Sequence, residues 1–171
     1  MFNLKIAAAR TAGTLLLAGA TLLPTAASAA TAGGSLNVTA TVTANCTVST
    51  TALAFGNVNT INGSNVDGAG ALSIVCTNGT GWTAAADVGS GSGASFSSRR
   101  MEAGSDQLSY NLFTDAGFAN VWGDGSASTS TIGGTGSGSA QAVTIYGRVG
   151  SGQTTVPVGS YADTVAVTVT Y

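Results

Sequence analysis

Chemistry needs groups that exchange protons, attack or ligate, and this chain offers few of them. It contains no histidine, which removes the usual base near neutral pH and any Ser-His-Asp arrangement. Asp115 and Asp124 lie on either side of Trp122. Two carboxylates could cleave a glycosidic bond while the indole stacks on a sugar. Both acids sit beside glycines, where Asp is an ordinary turn residue, and the turn reading is preferred. Arg99-Arg100 could form a binding patch, but the pair is better read as the two faces of an edge strand whose charge prevents unwanted pairing. Trp82 and Trp122 read as core or turn-packing residues. Asn37, Asn45, Asn62 and Asn78 each begin an Asn-x-Ser/Thr triplet that could accept a glycan in a eukaryote; two of them overlap hairpin turns, and the turn reading comes first. Cys46 and Cys76 are the two cysteines, and with no histidine and no third cysteine they lack the partners of a metal site. The expectation is a protein that is not an enzyme, with no catalytic residues, cofactor or metal.

The elements that carry these residues begin with an address. Lys5 and Arg10 precede an apolar stretch containing Leu15, Leu16, Leu17, Leu22 and Leu23; Pro24 breaks it, and Ala27-Ser28-Ala29 has the small-x-small form read by signal peptidase. Residues 1–29 are expected to be a signal peptide, with cleavage after Ala30 as the alternative. No later run reaches about 18 apolar residues, so no transmembrane segment is expected in the mature chain. Export to an oxidising compartment makes a Cys46–Cys76 disulfide the default. The remainder is one domain in length. It carries three arginines against seven acids and no lysine, so it has no basic patch for nucleic acid. The acids are scattered, as on a solvated face.

Strand follows strand along that domain. Leu36, Val38, Ala40, Val42 and Ala44 alternate with Asn37, Thr39, Thr41 and Thr43, a period of two that predicts a half-buried strand. Further strands are expected over 71–76, 82–88, 96–101 (weaker), 108–113, 143–149 and 164–171, the last alternating Val165, Val167, Val169 and Tyr171 against Thr and Ala. Asn78-Gly79, 115–117 and 123–125 read as turns, and 126–139 as a long, mobile Ser/Thr/Gly loop. No segment beyond the signal peptide has a helical period. Seven to nine short strands imply a β-sandwich or small barrel. A closed sandwich would use both terminal strands internally. The other reading leaves one strand position empty, to be filled by the N-terminal strand of another copy, head to tail.

Several short motifs follow one another in a set order. Ala44-Asn45-Cys46-Thr47-Val48 follows the alternating segment, then Leu53-Ala54-Phe55-Gly56, Leu72-Ser73-Ile74-Val75-Cys76-Thr77-Asn78-Gly79-Thr80 and Leu108-Ser109-Tyr110-Asn111-Leu112-Phe113-Thr114-Asp115. Val143-Thr144-Ile145-Tyr146-Gly147-Arg148-Val149 comes next, and Gly159-Ser160-Tyr161-Ala162-Asp163 with its alternating strand closes the series. Essentially the whole mature chain resembles the spore coat protein U domain family, the subunits of archaic chaperone–usher pili. The resemblance implies an all-β, immunoglobulin-like sandwich, incomplete in the monomer and completed by a donor strand from another subunit. It places a donor-strand extension at 30–44, with Leu36, Val38, Ala40 and Val42 facing the acceptor groove, and the pilin domain at 45–171. It matches Cys46 and Cys76 to the family disulfide. It sets Val165, Val167, Val169 and Tyr171 beside the groove, where a periplasmic chaperone would meet them.

The function expected is that of a major shaft pilin, assembled with other copies or related pilins through a chaperone and an outer-membrane usher on a Gram-negative cell, serving surface attachment and biofilm formation. Two rivals stand beside it. One is a monomeric secreted carbohydrate-binding β-sandwich with its site at Trp122 and residues 35–43 paired in its own chain. The other is an eight-stranded outer-membrane barrel, against which stand the disulfide between early strands and the scarcity of aromatics for two girdles.

Overall fold

The structure, a computed structural model, describes residues 27–61 and 63–171. The expected signal peptide lies outside the described residues except for 27–29, and so does Asn62. Residues 40–171 form one compact unit; of residues 1–39, those described have no regular secondary structure and are exposed.

Eight strands build the unit: β1 (Cys46–Thr51), β2 (Val66–Cys76), β3 (Gly81–Ala86), β4 (Arg99–Ala103), β5 (Asp106–Phe113), β6 (Ile132–Thr135), β7 (Gln141–Val149) and β8 (Val167–Thr170). They divide into a five-stranded sheet, β1-β2-β7-β5-β4, and a three-stranded sheet, β6-β3-β8, with every ladder antiparallel. The fold is thus an all-β, immunoglobulin-like sandwich, and its strands do not close into one barrel. Alternation decides which side chains face inward. Leu72 and Ile74 of β2, Ala84 and Ala86 of β3, Leu108, Tyr110 and Leu112 of β5, and Ile145 and Val149 of β7 are buried in one core with Trp82 and Trp122. Ahead of β8, the Tyr161 hydroxyl donates to the Pro157 carbonyl at 2.8 Å, the tyrosine-corner contact of immunoglobulin-like sandwiches.

Four expectations are corrected. Residues 35–43 are not a half-buried strand: residues 27–45 form no strand, and Leu36, Val38 and Val42 are 88%, 82% and 84% exposed. Alternation alone does not make a strand, which needs a sheet edge to pair with. The 126–139 segment is not all loop, because β6 lies within it and pairs with β3. Its Gly133-Gly134 hides the β-strand pattern, yet Gly134 is there because any side chain would run into the indole of Trp82. β1 is an additional strand, polar and exposed along most of its length, so it shows no apolar stripe.

Arg99 is the fourth. It does sit on an edge strand with Arg100 on the other face, but it points inward and is 0% exposed. Its guanidinium donates to the Asp87 carbonyl through Nε (3.1 Å) and Nη2 (2.7 Å), to the Trp122 carbonyl (2.7 Å) and to Asn111 Oδ1 (2.7 Å). A single cation therefore ties β4 to the end of β3 and to the turn at Trp122. Burial pushes its pKa down, opposed by Tyr110, Asp87 and Asp163.

Cys46 and Cys76, directly opposed in the β1–β2 ladder, are disulfide-bonded. Replacing both with Ser should remove about 3–4 kcal/mol of loop-closure stabilisation, measurable as a lower urea midpoint. Arg99→Met should cost about 3 kcal/mol or more, because it strands several buried acceptors at about 1–3 kcal/mol each. An unchanged urea midpoint would show that those carbonyls find other partners.

Candidate functional site: an open cleft beside β8

A cleft of about 910 Å³ opens on the core within the 40–171 unit. Its floor is the inner face of the large sheet: Leu72 from β2, Met101 from β4, Leu108, Tyr110 and Leu112 from β5, and Ile145 from β7, with Trp122 among them. One wall is the start of β8 and the residues before it, including Val165 and Val167. The other is the segment after β1, which contributes Leu53, Phe55 and Val58.

Both walls lack strand partners on the cleft side. β8 is the edge of its sheet. The Asp87 N–H donates to the Ala166 carbonyl at 3.1 Å, which fixes the phase of the ladder. Residues 166, 168 and 170 turn their backbone groups toward β3, and residues 165, 167 and 169 turn theirs to the open side. Side chains on these same odd residues are half-buried against the core. The opposite wall, residues 52–58, belongs to no ladder among the described residues. An edge with free N–H and C=O groups over an uncovered apolar floor is the arrangement that accepts an added strand.

One polar cluster anchors the β8 wall. Tyr110 Oη donates to Asp163 Oδ2 at 2.6 Å, while Asp163 Oδ1 accepts from the Ser90 N–H (2.8 Å), the Ser90 hydroxyl (2.7 Å) and the Thr164 N–H (2.7 Å). Burial raises the Asp163 pKa, but the donors from Tyr110, Ser90 and Thr164 outweigh it and hold the carboxyl below its usual range. Burial and the Asp163 carboxylate push the Tyr110 phenol far up, so it stays a donor. Next to this cluster, Ala162 exchanges backbone hydrogen bonds with Glu102 of β4 (2.9 and 3.1 Å), so the chain leaves the large sheet there and enters the small one as β8.

Of the residues singled out from sequence, Val165 and Val167 line the cleft, Val169 packs against the core and Tyr171 is exposed. Leu36, Val38, Ala40 and Val42 are exposed and in no strand. The sugar site of the rival reading is not formed. Trp122 is 2% exposed with its Nε1–H given to the Ala84 carbonyl (3.2 Å). Backbone N–H groups of Asn120, Ala119 and Gly117 hold Asp115 low, and hydrogen bonds from Ser126 hold Asp124 low, whereas a general acid needs a raised value. Sequence reasoning missed the Leu53–Val58 wall and the Tyr110–Asp163–Ser90 cluster. Their signals were present in Leu53-Ala54-Phe55-Gly56 and in the Asp that ends Gly-x-Tyr-x-Asp.

Comparison with known proteins bears on this geometry. The family model described as Spore Coat Protein U domain matches residues 32–168. Protein U of Myxococcus xanthus is 37% identical over 182 residues, covering 96% of this chain and 99% of its own. Among solved structures, a chain of the CsuC–CsuE chaperone–tip adhesion subunit pre-assembly complex, from the archaic chaperone–usher Csu pili of Acinetobacter baumannii, shares the fold at a TM-score of 0.55 and 20% identity. That match covers 77% of the present chain, which spans 40% of the solved one.

The Asp163 cluster makes a signed prediction. A carboxyl held low in the fold contributes stability above its unfolded pKa of about 3.9 and loses it as pH falls through the folded value. Asp163→Asn should therefore melt lower than the parent at pH 5–7, with the gap closing toward pH 2. A gap independent of pH would show that the charge plays no part.

Proposed function

The chain belongs to the Spore Coat Protein U domain family, and from that premise we propose that it is a structural subunit of a surface pilus, assembled by strand exchange between copies. Family and fold are those of structural subunits and not of enzymes. The observation that carries the proposal is the cleft: a free β8 edge above an apolar floor, in a chain whose own alternating segment forms no strand.

In this reading, residues 1–29 direct export, and a periplasmic chaperone lends a strand along Val165, Val167, Val169 and Tyr171 until an outer-membrane usher exchanges it. The replacement is the 30–44 extension of the next subunit, whose Leu36, Val38, Ala40 and Val42 turn toward the floor. The solved chain of like fold comes from a complex of chaperone and subunit, which supports the first step. Burying Leu36, Val38 and Val42 is worth roughly 1.5–3 kcal/mol each, to which pairing along both walls adds. A strand enclosed in a sandwich leaves only when the fold opens, so the link is kinetically persistent. The contact is head-to-tail and grows a filament. A domain that carries its own donor segment fits a repeating shaft, whose filaments would serve attachment and biofilm formation. The family's description as a spore coat domain supports a second destination for the same chemistry, a coat layer; electron microscopy of the assembled material separates fibres from sheets.

Surface-sheared protein run unheated on an SDS gel should give a ladder that collapses on boiling. Val42→Arg would place an unpaired charge on the floor and should abolish the ladder. Normal filaments from Val42→Arg would refute the donor register.

A further inference from the structure

Three glycines lie together on the inner face of the large sheet. Gly68 of β2 is directly opposite Gly147 of β7, and Gly70 is two residues further along β2, opposite Ile145. Glycine inside a strand is a cost: it packs nothing and loses the most backbone freedom on folding. None of the three has a positive φ, so conformation does not demand glycine here. What demands it is the chain above. A Cβ on Gly70 would lie 2.9 Å from the Thr51 carbonyl oxygen and 3.1 Å from the Leu53 Cβ. On Gly68 it would lie 3.0 Å from the Ala54 carbonyl oxygen, and on Gly147 2.8 Å from both Leu53 Cδ1 and Phe55 Cζ. The three positions make a side-chain-free shelf on which residues 51–55 rest.

That shelf sits where the chain leaves the large sheet. Up to Thr51 it is the β1 edge of the large sheet, paired with β2. Past Thr51 it crosses the inner face, with Leu53 and Phe55 half-buried and Phe55 edge-on to Tyr110 at 5.9 Å between centroids, and it becomes the cleft wall that faces β8. We infer that Gly68, Gly70 and Gly147 are positioning residues for strand capture: by seating Leu53 and Phe55 they hold the second wall at the distance where an inserted strand can reach both edges. The inference rests on the strand-exchange reading above.

The test uses full-length chains. The acceptor is a tagged chain carrying Val42→Arg, unable to donate; the donor is the untagged wild-type chain; the readout is the tagged, heat-labile dimer on an unheated SDS gel. Adding Gly147→Val to the acceptor should lower capture at least tenfold. The disulfide and the β-sheet circular dichroism should persist, since valine itself favours strands. Gly81→Val in the same acceptor, on β3 where an added Cβ meets nothing within 4 Å, is the control and should leave capture unchanged. Gly147→Ala is the milder form of the same test should the valine variant not fold. Undiminished capture by a folded Gly147→Val or Gly147→Ala acceptor overturns the inference, as does an equal loss from Gly81→Val. No capture by the parent acceptor overturns the strand-exchange reading and this inference with it.

Discussion

A mismatch in strand number governs this molecule. Five strands present an apolar inner face and only three lie across from them. The floor at Leu108, Leu112 and Ile145 is therefore roofed on one side by β8 and on the other by a segment with no ladder. Two kinds of unmet demand meet in one place: apolar surface, which gains about 25 cal/mol per Å² when removed from water, and backbone groups turned toward no strand. A strand with an apolar stripe meets both at once, and a small molecule or a flat protein surface meets only one.

Polar fixtures set the frame around the cleft. Arg99 holds β4, the end of β3 and the Trp122 turn at fixed distances through carbonyl acceptors. Asp163 gathers Tyr110, Ser90 and Thr164, setting the start of β8 against the large sheet. The Ala162–Glu102 pair marks the point where the chain passes from one sheet to the other. Polar contacts at a few positions give geometry, while the apolar contacts give energy.

Much of this was legible in the sequence, and the limits are physical. Strands with inward alternation, such as Leu108-Ser109-Tyr110-Asn111-Leu112 and Val143–Val149, declare themselves because burial selects every second residue. β6 does not, because Gly134 was chosen for space beside the Trp82 indole, and Gly133-Gly134 carries no stripe. β1 does not, because an exposed edge strand has no buried face to pattern. Arg99 misled because charge usually marks solvent, and only the three-dimensional set of carbonyls around it reverses that expectation. Of the cleft, the β8 wall could be read from Val165, Val167 and Val169. The opposite wall could not, because it is defined by what lies under it. The Leu36–Val42 alternation was legible as a pattern; the pairing it seeks is not supplied by a ladder of this chain.

The link between Cys46 and Cys76 also fixes how the molecule carries tension. β1 is a short, exposed edge strand and would unzip one pair at a time if drawn from its first residue. That residue is Cys46, bonded covalently to the last residue of β2, and β2 pairs with β7 along nine residues. The carbonyls of Thr43 and Asn45 accept from Thr77, the residue next along. A pull on residues 40–45 therefore bypasses the weak edge and passes through the disulfide to β2, which is held by ladders on both sides.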